Sequence, residues 1–155
     1  MHASFLQQAI QLATDNVESG AGGPYGAVIV KDNQIIAASG NKVTCSIDPT
    51  AHAEIMAIRI ACQHLNDFRL TGCTLYTSCE PCPMCLGAIY WARLDRVYYA
   101  CNRFDAAAAN FDDSFIYEEI NLKPQARHIP MRHLNLPNAL EPFTSWNQKL
   151  DKITY

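Results

Sequence analysis

Two short segments of the chain contain residues that commonly bind zinc. His52 lies two residues before Glu54, and Cys82 lies three residues before Cys85. One imidazole and two thiolates are one ligand short of a closed structural site, so the fourth position can hold a water molecule. A metal with an open position beside a carboxylate is typical of a hydrolytic centre. The pattern therefore predicts a zinc-dependent hydrolase.

The same spacing indicates how helices would position these groups. Pro83 follows Cys82 and suits the first position of a helix, because it has no N–H to leave unpaired. Cys82 at the cap and Cys85 in the first turn would then present both sulfurs at one helix end, where the dipole favours thiolates. His52 is expected in the first turn of a second helix. Glu54 does not share its face, which predicts a general acid–base group and not a fourth ligand.

Composition places the chain among ordinary globular domains. It has 155 residues, of which 49% are hydrophobic and 17% charged. The formal net charge of −3 offers no basic surface for nucleic acid or an anionic membrane. No apolar run approaches a membrane span, and residues 1–19 lack the basic start of a signal peptide. We therefore expect a cytoplasmic protein whose seven cysteines are reduced.

Hydrophobic periodicity predicts alternating helices and strands after an opening hairpin. This order is typical of an α/β fold in which a mixed sheet of about five strands lies between two layers of helices. The predicted strands are 27–30, 34–39, 74–78, 96–100 and 127–134. The predicted helices are 4–18, a segment starting at 48–50 and running to about 63, 82–92, 113–121 and 142–152, with Asp48 or Thr50 as the cap of the second.

The cysteines allow two other interpretations. Cys82 and Cys85 alone resemble a thioredoxin-type redox pair, but that scheme has no place for His52 and Glu54. With Cys79 they resemble the start of an iron–sulfur motif, which would continue with Cys-Pro where this chain has Ile-Tyr at 89–90. A zinc site is the better interpretation. The remaining cysteines are expected to be small core residues: Cys45, Cys62, Cys73, Cys79 and Cys101.

Longer segments around these motifs are similar to the bacterial guanine deaminases of the cytidine deaminase superfamily. The similarity runs nearly from end to end and includes 22–28, 48–54, 76–93 and 111–117. The zinc motifs are shared by the whole superfamily, whereas Asp-Asp-Ser-Phe-Ile-Tyr at 112–117 and the end of the chain indicate the guanine deaminases. The resemblance implies a cytidine-deaminase-like three-layer α/β/α sandwich, one Zn²⁺ per subunit, and hydrolysis of guanine at C2 to xanthine and ammonia.

The resemblance also implies roles for single residues. Glu54 would be the proton shuttle, and Asp113 a second carboxylate that assists departure of the amine. Asn41 would read the purine edge, and Tyr25 stands where the relatives commonly have Phe, keeping an aromatic ring and adding a hydroxyl. From local pattern alone, 112–113 could be a helix cap and Asn41 a turn residue. The implied substrate-binding residues are Tyr25, Asn41, Ala53, Trp91 and Tyr155.

In this family the C-terminal segment is thought to close the active site of the partner subunit. Trp146 and Tyr155 are compatible with that role, since a chain end with no such contact would be expected to fray. We therefore expect one deaminase domain over 1–155, in a homodimer that exchanges a segment of about 135–155. Tyr155 would then line the neighbouring pocket.

Other functions share part of the pattern. The tRNA adenosine deaminases also have Asp-Pro-Thr-Ala-His-Ala-Glu, but this chain lacks the basic C-terminal helix that phosphate contacts need. It also reads Asp-Ala-Ala-Ala-Ala at 105–109 where that family has Asp-Ala-Lys-Thr-Gly-Ala. Cytosine or an amino-triazine is a further possible substrate. In a non-catalytic zinc module, Glu54 would only be an acid favoured by the helix dipole. The expected partner is a small purine base, without nucleic acid or membrane.

Overall fold

Nine helices and strands form the first of two units in the computed structural model, which describes residues 1–155. The units are Met1–Asp113 and Ser114–Tyr155. The elements of the first are α1 (His2–Glu18), β1 (Gly26–Lys31), β2 (Gln34–Gly40), α2 (Val43–Ser46), α3 (Ala53–Leu65), β3 (Cys73–Cys79), α4 (Pro83–Trp91), β4 (Arg96–Cys101) and α5 (Arg103–Ala108). The second unit contains α6 (Ser114–Asn121), a 3₁₀ turn (Pro124–Ala126) and α7 (Glu141–Gln148).

The sheet is mixed, as predicted, and has the strand order β2-β1-β3-β4. β1 pairs antiparallel with both β2 and β3, whereas β3 and β4 are parallel. Asp32 and Asn33 close the predicted hairpin with φ of 49° and 63°, the left-handed geometry of a tight two-residue turn. α4 supplies the crossover that two parallel strands require, so the fold delivers its N-terminus beside the end of β3.

Side-chain alternation along the strands divides the core between two helical layers. Val28 and Val30 of β1 pack with Tyr76 of β3 against α1. Ala27 and Ile29 point to the opposite face, where α3 and α4 cover the sheet. Because successive side chains of a strand alternate, one hydrophobic strand can serve both layers. The predicted three-layer α/β/α class is confirmed. Buried residues on the α3 side include Ala53, Ala57, Ala61, Leu70, Leu75 and Ile89.

The start of α3 differs from the sequence prediction. Ala53 is the first helical residue and His52 is the N-cap, so His52 does not lie in the first turn. Asp48 and Thr50 lie before the helix and do not cap it. The Asp48 carboxylate instead accepts a hydrogen bond from the Thr50 N–H at 2.8 Å, which closes a local Asx turn. The short helices α2 and α5 were not predicted, because four and six residues are too few to show periodicity.

The predicted strand at 127–134 is wrong, and the sheet has four strands instead of five. Pro130 lies inside the segment and cannot donate a ladder hydrogen bond. The chain is held in other ways here: the Arg127 side chain donates from Nε to the Glu119 carbonyl at 3.0 Å. The Glu119 carboxylate also accepts from the His128 N–H at 2.7 Å. The sequence prediction therefore overestimated the number of strands by one.

The second unit has no buried side chain anywhere between residues 114 and 155. Its apolar residues are nevertheless numerous and strongly exposed, with Leu134, Leu140 and Phe143 each at 68% or more. A unit without a buried side chain has no hydrophobic core of its own. No helix in either unit is long and apolar enough to cross a membrane.

Candidate metal centre and active site

The N-terminal ends of α3 and α4 bring the three predicted zinc ligands together. His52 caps α3, Cys82 caps α4, and Cys85 lies in the first turn of α4 and is fully buried. The His52 Nδ1 atom lies 3.6 Å from the Cys82 Sγ atom and 3.5 Å from the Cys85 Sγ atom. Two helix ends that converge in this way place three donor atoms within 4.8 Å of one another.

These separations fit tetrahedral zinc. Zn–N bonds of about 2.05 Å and Zn–S bonds of about 2.3 Å at tetrahedral angles require N···S distances of about 3.5 Å. The two observed N···S distances, 3.5 and 3.6 Å, agree with that requirement. The donor group contains no fourth His, Cys, Asp or Glu. His52, Cys82 and Cys85 therefore form a candidate zinc site with one position open, as predicted for a catalytic centre and not for a structural one.

Glu54 follows His52 into the first turn of α3 and lies almost entirely inside the protein, at 5% exposure. Burial disfavours its charged form and raises the pKa of its carboxyl to about 7. A group with such a pKa can both accept and return a proton near neutral pH. Glu54 is not one of the three grouped donors, which agrees with its predicted place beside the metal.

The two thiols of the site have opposite proton affinities. The pKa of Cys82 is lowered to about 4, chiefly because the Cys85 thiol donates to it and also because His52 lies beside it. The pKa of Cys85 is raised for the complementary reason, with burial adding to the effect. Contact with the Cys82 thiolate also raises the pKa of His52. The site therefore stabilises a thiolate, the form of cysteine that binds zinc.

Asp113 belongs to the same electrostatic environment. It is half-buried, whereas Asp112 is exposed, so the structure distinguishes the two neighbouring carboxylates. Burial raises the pKa of Asp113, and the negative charge of Cys82 raises it further. α6 begins one residue later, at Ser114, so Asp113 also stands directly before that helix. Its role in amine departure remains a prediction.

Tyr25 forms an aromatic wall with Phe111, which the sequence analysis did not assign to the site. Their ring centroids lie 5.3 Å apart at an interplanar angle of 87°. Burial raises the pKa of the Tyr25 hydroxyl, and nearby negative charge, including that of Glu54 and Asp113, raises it further, so the phenol stays protonated. Phe111 is the first residue of the segment 111–117, which is similar to the guanine deaminases. That position could have indicated from the sequence that Phe111 lies at the site.

Asn41 is buried at the end of β2, and its side chain takes part in a local turn. The Asn41 Oδ1 atom accepts from the Val43 N–H at 3.1 Å. Asn41 therefore does act as a turn residue, one of the two roles that the sequence allowed. This bond engages the side-chain oxygen and leaves the side-chain nitrogen to act as a donor to a ring acceptor. Reading of the purine edge remains a prediction for this residue.

The other three predicted substrate contacts lie in different surroundings. Ala53 is fully buried at the first position of α3, directly between His52 and Glu54. Trp91 ends α4, about 13 Å along the helix from Cys82 at the usual rise per residue, so it lies away from the metal ligands of its own chain. Tyr155 ends the second unit and is 74% exposed.

An open three-ligand zinc site at two helix ends, with an acid of raised pKa beside it, defines a zinc-dependent hydrolase built on an α/β/α sandwich. Comparison with known families agrees. The sequence profile described as the cytidine and deoxycytidylate deaminase zinc-binding region matches residues 1–101. The chain belongs to this family.

Two relatives and one solved structure define the similarity further. A guanine deaminase from Bacillus subtilis is 55% identical over 154 residues, which cover 99% of each chain. The X-ray structure of a guanine deaminase from Bacillus subtilis has a TM-score of 0.99 at 55% identity, covering 100% of this chain and 99% of that one. A tRNA-specific adenosine deaminase from Agrobacterium fabrum is 53% identical over 107 residues, 69% of this chain and 67% of that protein. The predicted fold class is thereby confirmed.

Proposed function

We propose that this protein is a zinc-dependent guanine deaminase that hydrolyses guanine to xanthine and ammonia in the cytoplasm. One observation carries the choice of substrate. The 55% identity to the guanine deaminase extends over 99% of the chain, whereas the 53% identity to the tRNA deaminase covers only 69% of it. The family profile that matches residues 1–101 already contains the three zinc ligands, so the zinc site by itself does not choose between these substrates.

The residues of the site divide the reaction between them. His52, Cys82 and Cys85 would hold the zinc ion, which would supply a Lewis acid that makes water nucleophilic at neutral pH. Glu54 accepts a proton from the attacking water and delivers it to the purine ring. Asp113 assists departure of the C2 amine as ammonia, because a second carboxyl with a raised pKa can donate a proton there.

Binding of the base uses Tyr25 and Asn41. The Tyr25 ring, braced edge-on by Phe111, offers a face for stacking on the purine. The Asn41 side-chain nitrogen supplies a hydrogen-bond donor, since its oxygen is already engaged by the turn. A stacked ring with one directed amide contact selects a flat heterocycle of purine size.

A tRNA adenosine deaminase is the second candidate, and its 53% identity over 107 residues favours it. The formal net charge of −3 opposes it, because binding of a tRNA stem relies on several Lys or Arg contacts to phosphate. Ammonia release from guanine, adenine, cytosine and a tRNA anticodon stem, assayed in parallel, separates the candidates. We expect release from guanine. Release from tRNA alone would overturn the guanine assignment.

The proposed enzyme is a homodimer in which each C-terminal segment closes the site of its partner. The second unit supports this arrangement because none of its side chains is buried within the chain, although it contains many large apolar residues. Exposed apolar surface on that scale marks a surface that another protein covers. Exchange of identical segments between two copies is a common way to cover it.

Deletion of Asp151–Tyr155 tests this arrangement. We expect the turnover of guanine to fall at least about tenfold while the melting temperature changes by only a few degrees, because none of these five residues is buried in its own chain. Steady-state kinetics and calorimetry measure the two effects. Full activity after the deletion would rule out any closing role for the C-terminus.

Co-expression of the deletion variant with full-length Glu54→Gln then distinguishes exchange from closure within one chain. In an exchanged heterodimer, the intact Glu54 site of the short chain receives the C-terminus of the full-length partner. Two variants of low activity should then recover about a quarter of the wild-type activity, the share of restored sites after random pairing. If each segment closes its own site, co-expression restores nothing.

A further inference from the structure

Asn16 is a buried polar residue with no role in the proposed chemistry. It lies near the end of α1 and is only 5% exposed. Its spacing of three residues from Ala13 and seven from Ala9 places it on the buried face of that helix. A buried amide is costly unless its hydrogen-bonding groups are used, so its contacts show what it does.

The Asn16 side chain holds two separate loops with one amino group. Its Nδ2 atom donates to the Gly23 carbonyl at 2.8 Å and to the Asn41 carbonyl at 2.9 Å. Both N–H hydrogens of the amide are thereby used. The Gly23 loop leads directly to Tyr25, and the Asn41 N–H donates to the Tyr25 carbonyl at 2.9 Å. Asn16 therefore joins the backbone beside the stacking residue to the backbone of the base-reading residue.

The backbone packs closely around the Asn16 amide at two glycines. A Cβ atom on Gly40 would lie 2.5 Å from the Asn16 Oδ1 atom, and a Cβ atom on Gly22 would lie 2.4 Å from the Asn41 carbonyl oxygen. Both distances are far shorter than van der Waals contact, so only glycine fits at these two positions. The chain is thus built closely around the Asn16 side chain on two sides.

We propose that Asn16 is a positioning residue for substrate recognition: it sets the distance between the Tyr25 ring and the Asn41 amide. This inference rests on the proposed function, in which those two residues contact guanine. Asn16 touches no substrate itself. Without its amide, the Gly23 and Asn41 carbonyls lose their buried donor, and the two loops are held less firmly, through the Asn41–Tyr25 backbone hydrogen bond and the pairing of β1 with β2. Binding of the base then weakens, whereas the zinc site and Glu54, held by α3 and α4, stay intact.

Asn16→Asp tests the proposal because it keeps the shape of the side chain but replaces the donor with an acceptor that repels both carbonyls. We expect the KM for guanine to rise about tenfold or more, with kcat within about threefold and zinc content unchanged. Asn16→Leu, which removes the polar group altogether, should show the same split if the aspartate variant folds poorly. Gln8→Glu makes the same amide-to-acid change at an exposed position of α1 and should alter neither constant.

A double-mutant cycle with Asn41→Ala separates positioning from general stability. If Asn16 acts through Asn41, then Asn16→Asp raises the KM much less in the Asn41→Ala background than in the wild type. Guanine titrated into holoenzyme carrying Glu54→Gln, with and without Asn16→Asp, gives the loss of affinity without turnover. An unchanged KM, an effect confined to kcat, or full additivity overturns the proposal. A wild-type enzyme that releases no ammonia from guanine overturns the proposed function instead.

Discussion

Glu54→Gln is expected to lower kcat for guanine by about 10²–10⁴-fold while zinc content stays at the wild-type level. Glutamine has the same shape and can still form hydrogen bonds, but it cannot take a proton from water and return it. Since Glu54 lies outside the group of donor atoms, its loss should not weaken metal binding. Steady-state kinetics together with metal analysis by mass spectrometry measure both quantities on one preparation.

Glu18→Gln is the matched control, because it makes the same chemical change at an exposed carboxylate near the end of α1. We expect it to keep the wild-type kcat. Wild-type turnover by Glu54→Gln would show that another group moves the proton. Loss of zinc from that variant would show that the carboxylate is a ligand, in conflict with the observed three-donor site.

Replacing Cys85 by Ala is expected to lower bound zinc well below one equivalent and activity by at least about a thousandfold. The buried thiolate is one of three ligands, and two remaining ligands hold zinc weakly. A bound metal ion lowers the activation free energy by several kcal/mol, and each step of about 1.4 kcal/mol corresponds to a factor of ten in rate. Losing the ion therefore accounts for a loss of activity of this size. Metal analysis and ammonia release report the two losses.

The thermal stability of the same protein supplies a second readout. Metal that binds only the folded state stabilises it, so a chelator should lower the melting temperature of the wild type and leave Cys85→Ala almost unaffected. Cys45→Ala removes an exposed cysteine outside the donor group and should respond to the chelator as the wild type does. One full equivalent of zinc in Cys85→Ala would exclude the assigned ligand set.

Elements that depend only on neighbouring residues were predicted correctly from the sequence. The hairpin turn at Asp32 and Asn33 and the start of α4 after Cys82 were both predictable. Each is determined by the backbone preferences of a few neighbouring residues. The continuous apolar run at 27–30 likewise predicted a strand, and it forms β1, where these residues are buried.

Features that depend on a distant partner were not predictable in the same way. The segment 127–134 was predicted to be a strand, but a strand needs a neighbour to pair with, and Pro130 has no N–H to donate to one. Asn16 looks like one polar residue in an amphipathic helix. Only the packed structure brings it against the Asn41 carbonyl, 25 residues away in the chain.

The zinc chemistry was determined by the sequence alone, because three metal ligands and one carboxylate at this spacing are typical of few other sites. The tertiary structure decided where those groups meet. It placed His52 Nδ1 within 3.6 Å of a thiol 30 residues along the chain and buried Glu54 beside both. It also turned Asp113 inward and left Asp112 exposed. Spacing in a sequence reports local geometry, whereas the distance between two helix ends depends on how the sheet and its helices pack.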